Sequence, residues 1–310
     1  MRVFVAGASG ALGRPLIPRL VAAGHEVTGM TRRHERAEEI RAAGASPAVC
    51  DVFDGEALRA AVAAARPEVV VHALTALPAK MDWKKDPIGP TNRVRTEGTR
   101  NLIAAARAAG ARRIVAESVA FFYAPVGDWV KDEEAPLFES APPPFAEAVG
   151  ALLDLERQVV GAEGIEGIVL RYGWFYGPGT HYASEGWQGE EVRRRRLPIV
   201  GEGSGTFSFV HVDDAASATV AALSKGTAGV YNVVDDEPAP MRDWVPLYAK
   251  ALGAKPPRRV PIWLARLVAG RAVAANATEL RGASNAKAKR ELGWAPRYAS
   301  WRQGFREALG

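Results

Sequence analysis

"RVFVAGASGALG", residues 2–13, joins a β-branched run to three glycines and stops where an apolar segment rich in Leu and Ala begins. The first residues have the composition of a buried strand, and the segment from Gly13 through Leu20 that of a helix. Gly7, Gly10 and Gly13 stand at the joint. Glycines so placed let the chain turn tightly, let backbone approach a pyrophosphate and let helix pack on strand, while the helix N-terminus offers N–H groups to phosphate. The stretch predicts the opening of a dinucleotide-binding unit, with Gly7, Ser9, Gly10, Ala11, Leu12 and Gly13 around the pyrophosphate. Three turn glycines without a ligand are the alternative.

The same beat continues outward. "HEVTGM" (25–30), "SPAVCD" (46–51), "PEVVVHAL" (67–74), "ARRIVAES" (111–118) and "GIEGIVLRYG" (164–173) read as buried strands. Helical patterns separate them around 35–43 and near 56–65, 92–109 and 145–163. Continuous apolar strands with helices between them imply a parallel sheet covered on both faces. After Gly177 the pattern loosens into "PGTHYASEGWQGEE", then resumes with a helix near Asp213 and a strand at "GVYNVV" (229–234). The expected fold is α/β: a Rossmann-type doubly wound parallel sheet with a smaller, mostly helical C-terminal substrate lobe. The sheet domain is expected at 1–177 plus about 207–235, and the lobe at about 178–206 and 236–310, closing over the carboxyl ends of the strands.

Composition narrows the class. Hydrophobic residues at 48% and charged residues at 24% of 310 positions are ordinary globular values. Cys50 is the only cysteine, which excludes an internal disulfide and multi-cysteine metal sites and reads as buried filler. No secretory n- and h-region opens the chain and no apolar run is long enough for a membrane span, so a soluble, cytoplasmic protein without a bound metal is expected. The net charge of +5 is concentrated at Arg193 to Arg196. Without an aromatic-studded basic stripe, that run reads as a solvated helix end, and neither nucleic acid nor membrane is an expected partner.

Cofactor preference is written at the strand ends. Arg32 and Arg33 follow the second strand where a carboxylate would accept from a ribose 2′-OH, which favours NADP(H) over NAD(H). An exposed arginine pair opening a surface helix is the alternative. Asp51, ending the third strand, is placed to accept from the adenine amino group with Val52 near the ring, whereas Asp54 reads as a helix cap.

Beyond these elements the chain resembles an extended short-chain dehydrogenase/reductase of the NAD-dependent epimerase/dehydratase type, over nearly its full length. The resemblance is carried by "GASGALG" (7–13), "HALTAL" (72–77), "TNRVRTEGTRNLIAAARAAGARRIV" (91–115), "LRYGWFYGPG" (170–179), "FSFVHVDDAA" (207–216) and "KAKRELGWAPR" (287–297). It implies a nicotinamide cofactor with His72, Ala73, Leu74, Thr75 and Asn92 near its ribose and nicotinamide. It also implies a homodimer built on the helices 92–109 and 145–163. The apolar row Ala148, Leu152, Leu155 and Val159 could face either such a partner or the core.

The family's reaction uses a Ser or Thr, then a Tyr acid/base with a Lys four residues on that lowers its pKa. Matched on Tyr123, the serine position falls on Val119, next to Ser118. Matched on Glu156, Tyr and Lys fall on Ala148 and Leu152. None of the seven tyrosines has a lysine four residues later. Proton transfer is therefore expected to have moved to the strand-end loops, with His181, Tyr182, Tyr123, Ser118 and Tyr172 as candidates, and Glu117 and Tyr176 behind them. His181 and Tyr182 lie in "YGPGTHYASEG", a loop expected to face the nicotinamide, and imidazole titrates near neutral pH.

Phe207 occupies the place where nucleotide-sugar members carry a diphosphate-binding arginine. Together with Trp174, Phe175, Tyr176, Trp187 and Trp263 it favours an apolar or aromatic substrate. The expected function is an NADP(H)-dependent oxidoreductase or epimerase-like enzyme acting on a carbonyl or hydroxyl compound other than a nucleotide sugar. A catalytically inactive NAD(P)-binding sensor or scaffold is the second reading.

Overall fold

The structure, a computed structural model, describes residues 1–82 and 86–309. Its centre is a seven-stranded sheet of β1 (Arg2–Ala6), β2 (Glu26–Thr31), β3 (Ser46–Val49), β4 (Val69–His72), β5 (Arg113–Val119), β6 (Glu166–Tyr172) and β7 (Gly229–Val233). The order across the sheet is β7-β6-β5-β4-β1-β2-β3, and every pairing in it is parallel. The order reverses between β1 and β4, which opens a crevice at the carboxyl ends of the strands.

Helices cover both faces. α1 (Gly13–Ala22) sets Leu16, Ile17 and Leu20 against Val3, Val5 and Val71, and α2 (Ala37–Ala42) adds Ile40 to the same cluster. On the other face α3 (Gly55–Ala65), α5 (Thr99–Ala108) and α6 (Phe145–Val160) bring Leu58, Leu102 and Leu155 against Phe4, Val70 and Ile114. Each such side chain contributes roughly 1.5–3 kcal/mol of burial. Asp54 caps α3, its Oδ1 accepting from Ala57 N at 3.0 Å.

Two expectations are refined. The apolar row of α6 lies against its own chain: Ala148, Leu152, Leu155 and Val159 are no more than 2% exposed, so this row is core and offers no face to a second subunit. The helix expected at 92–109 is interrupted. α4 (Gly89–Arg93) passes through a π-helical turn, Val94–Gly98, before α5 begins. Thr96 Oγ1 donates back to Asn92 O (3.1 Å) and Arg93 O (3.3 Å), a competition that loosens the i→i−4 ladder. Such one-turn bulges gather at functional sites, and this one carries Arg95.

A second core forms beyond the sheet. Phe207, Phe209, Tyr176 and Tyr182 pack with Trp244 and Tyr248 of the helix Met241–Ala251 and with Trp301 and Phe305 of the last helix, Trp301–Leu309. The segment after Gly177, read as loose, contains a helix at Trp187–Arg193. Arg194 and Arg196 at its end pair with its own Glu190 and Glu191, so much of the basic run serves this helix. Among the described residues no helix is long and apolar enough to cross a membrane.

One buried network fastens α6 to the sheet. Glu156 accepts from Arg171 Nε (2.8 Å), Arg171 Nη2 (2.6 Å) and Ser118 Oγ (2.7 Å). Arg171 Nη1 donates to Tyr123 OH (3.0 Å), which donates to Asn232 Oδ1 (2.7 Å). Both ends of the ion pair are buried. Glu156→Ala leaves a buried guanidinium unpaired and is expected to cost about 3–5 kcal/mol, read as a lower urea midpoint; Ser118→Ala, which removes one hydrogen bond, should cost about 1–3 kcal/mol.

Candidate active site

The glycine turn has the shape a pyrophosphate needs. Gly7 sits at φ +98°, and a Cβ there would lie 2.2 Å from Ala73 O; a Cβ on Gly13 would lie 2.3 Å from Gly7 O. Gly10 is exposed, and its nearest neighbour to an added Cβ is Gly7 O at 3.2 Å, so the space above it is open. The first turn of α1 carries no acidic residue to repel phosphate. Ala8 and Leu12 are buried beneath this turn, while Ser9 Oγ lies 3.4 Å from Thr31 Oγ1.

Next door, His72 fixes the loop after β4. Its Nδ1 accepts from Leu74 N (3.3 Å), so Nε2 carries the proton to Thr99 Oγ1 at 2.9 Å. Burial, with help from nearby Arg95, lowers its pKa to about 4 and keeps the ring neutral. This shapes the Ala73–Thr75 stretch along the crevice. Asn92 has a buried Oδ1 without a partner, an acceptor left for a ligand. Asp51 Oδ1 accepts from Phe53 N (3.0 Å), and Val52 is buried with its carbonyl held by Asn101. Arg32 and Arg33 are exposed, and neither guanidinium has a hydrogen-bond or ion-pair partner among the described residues. The residues present fit a dinucleotide.

The candidate proton donors do not converge. Ser118 and Tyr123 belong to the Glu156–Arg171 network, and burial raises the Tyr123 pKa. Tyr172 OH shares a 2.7 Å hydrogen bond with Thr219 on the other side of the sheet. Tyr182 and Tyr176 lie in the second core, their pKa values raised by burial. His181 Nε2 meets Pro78 O at 3.1 Å, its ring edge-on to Trp187, and burial lowers its pKa. Along α6, Leu152 and Ala148 stand one and two turns before Glu156 on the same face.

Two features were not anticipated from the residues. The first is Arg95 on the π-helical turn, whose charge acts on Glu117 at the end of β5. Desolvation pushes the Glu117 carboxyl up to about 7, and Arg95 only partly offsets it. The second is an apolar groove between the end of β5, the start of α6 and the helix Arg271–Glu279, lined by Phe121, Phe122, Tyr123, Phe138 and Phe145. Phe121 stacks on Trp174 with ring centroids 3.9 Å apart. "AFFYAP" and "PPPF" were the available signals, but their meeting depends on tertiary contacts. Among the described residues no group of acidic, His and Cys side chains could hold a metal ion.

Comparisons with known proteins agree with this layout. A family model described as "NAD dependent epimerase/dehydratase family" matches residues 3–234. A 3-diazoavenalumate denitrifying reductase of a Streptomyces species is 48% identical over 306 residues, covering 98% of this chain and 99% of the relative. A 2-alkyl-3-oxoalkanoate reductase of Stenotrophomonas maltophilia is 30% identical over 82% of this chain and 76% of its own. The UDP-glucose 4-epimerase of Thermotoga maritima, solved with UDP-glucose, shares the fold at TM-score 0.78 and 21% identity, over 99% of this chain and 97% of that one.

The Glu117 carboxyl sets a pH dependence. Its folded value, about 7, lies above the ordinary 4.5, so its contribution is full below about 4.5 and is lost as pH rises through about 7. Glu117 is partly reached by solvent, so the loss should be about 1–3 kcal/mol. Urea denaturation at pH 5 and pH 8 should show it, and Glu117→Gln should remove that difference.

Proposed function

The chain belongs to the NAD-dependent epimerase/dehydratase family and is an NAD(P)-dependent oxidoreductase, and on that premise we propose that it is an NADP(H)-dependent reductase of an aromatic diazonium compound, releasing N2. The observation that carries this reading is the 48% identity, over almost both full lengths, to a relative named as a denitrifying reductase of a diazo compound. It goes with an enzyme and not with an inactive sensor.

The reaction suits the crevice. When bound, the reduced nicotinamide supplies a hydride. At an aryl carbon bearing a diazonium group a C–H bond forms as the C–N bond breaks, and N2 leaves with the electron pair of that bond. No oxyanion develops and no proton is consumed. A carbonyl, by contrast, becomes an alkoxide and needs an acid. On this reading Ala148 and Leu152 suffice where the family keeps its Tyr and Lys, and a relocated donor at His181, Tyr182, Tyr123, Ser118 or Tyr172 is unnecessary.

The chain's own residues hold and orient. The glycine turn and the α1 N-terminus receive the pyrophosphate, and Asn92 and the Ala73–Thr75 stretch border the ribose and nicotinamide. Phe121, backed by Trp174, offers an aromatic ring a flat face. Phe207, buried against Trp244 at 4.9 Å, leaves no arginine there for a diphosphate.

Supplied with NADPH and a diazotised aminocinnamic acid, the protein should release N2 and oxidise cofactor one for one. His181→Ala, Tyr182→Phe and Tyr123→Phe should keep turnover within about tenfold; a loss of about 10²–10⁴-fold in any of them marks a working acid/base and contradicts the reading. The unpartnered Arg32 and Arg33 support NADP(H). Calorimetric titration should find NADP(H) binding more tightly than NAD(H), and Arg32→Asp with Arg33→Ser should reverse the order; equal affinities in the unaltered protein contradict the preference.

A further inference from the structure

A pocket of about 210 Å³ opens between α1 and α2, beside the glycine turn. Ala8, Ile17 and Ile40 give it a buried apolar floor, and its polar side chains, Ser9, Arg14 and Glu39, are more exposed and form the rim. Ser9 ties this rim to the end of β2. Its Oγ lies 3.4 Å from Thr31 Oγ1, which also accepts from Arg33 N at 3.2 Å. In a dinucleotide fold the end of this strand borders the ribose 2′ position, so the rim flanks the place of a 2′-phosphate.

Arg14, in the first turn of α1, stands at that rim already engaged. Its Nη2 donates to Glu39 Oε2 at 3.4 Å, and Glu39 also accepts from Arg36, three residues earlier. Among the described residues Glu39 is the only ion-pair partner of Arg14. The hydrogen bond from Arg36, with Arg14 behind it, holds the Glu39 carboxyl below the usual carboxylate range, so it stays charged. The contact with Arg14 is long, and its two side chains are 50% and 45% exposed. A pair of that kind contributes little stability and opens readily.

We propose that Glu39 is a specificity-determining residue, an internal anion that holds Arg14 in the free protein and yields it to the 2′-phosphate of NADP(H). The inference rests on the NADP(H) preference proposed above. A phosphate dianion brings more charge and more acceptor oxygens than one carboxylate, so it can take the guanidinium over. The 2′-hydroxyl of NAD(H) is neutral and leaves the ion pair closed. Arg32 and Arg33, which have no partners of their own, attract the phosphate, while Glu39 opposes it. The carboxylate thus holds NADP(H) affinity below what the arginines alone would give.

Calorimetric titration with adenosine 2′,5′-bisphosphate and adenosine 5′-monophosphate, at one fixed ionic strength, reads this exchange without substrate or hydride transfer. Arg14→Gln should weaken bisphosphate binding about tenfold. Glu39→Gln should tighten it about threefold, and both variants should hold the monophosphate within about 1.5-fold of the unaltered protein. Glu38→Gln removes the same charge from a residue that pairs with Arg41 and does not line the pocket; it should change neither nucleotide by more than about 1.5-fold. In the Arg14→Gln background, Glu39→Gln should bring no gain. Circular dichroism checks that each variant is folded. Equal affinity of the unaltered protein for the two nucleotides overturns the NADP(H) preference and this inference with it. Where the unaltered protein prefers the bisphosphate, this inference alone is overturned by any of three results: no loss in Arg14→Gln, no gain in Glu39→Gln, or an equal gain in Glu38→Gln or without Arg14.

Discussion

The ion pair between Glu156 and Arg171 governs how the rest of this molecule is arranged. A guanidinium and a carboxylate inside a protein are tolerable only when their geometry is good and their remaining hydrogen-bonding positions are filled. Here Glu156 takes two donors from Arg171 and one from Ser118, and Arg171 reaches on to Tyr123 and to Glu133 O (3.3 Å). Four elements, α6, β5, β6 and, through Asn232, β7, are thereby fixed to one another. The pair acts less as a source of net stability than as a register pin. It decides which face of α6 meets the sheet.

That pin has a chemical consequence. The row it presents continues into Leu152 and Ala148, both buried in the core. The same network engages Ser118 and Tyr123, while Tyr172 bonds to Thr219 and Tyr182 packs in the second core. What is left near the strand ends is an aromatic groove, a half-buried Glu117 under the influence of Arg95, and a glycine turn open above Gly10. Such a site suits the holding of a flat aromatic ring.

Much of the fold was legible in the sequence because it rests on local signals. The alternation of β-branched runs with Ala-rich segments and the position of Gly7, Gly10 and Gly13 lead directly to a parallel sheet with a crevice at β1 and β4. The fate of each hydroxyl was not legible. Tyr123 finds Asn232, 109 residues away, and Tyr172 finds Thr219, 47 residues away, and nothing in their own neighbourhoods announces it. The π-helical turn was hidden for a different reason: one extra residue in a helix leaves the apolar periodicity almost unchanged, yet it re-aims Arg95. The apolar row of α6 fits core and partner equally well as a pattern, and only packing distinguishes them.

On the proposed reading, the crevice delivers hydride without moving a proton. The isotope dependence of turnover on an arenediazonium lacking ring hydroxyls addresses that directly, comparing cofactor deuterated at the transferable position with reaction in heavy water. Turnover should slow with the labelled cofactor and show a solvent isotope effect near unity. A solvent effect of about twofold or more, the mark of a proton in flight in the rate-limiting step, would contradict it.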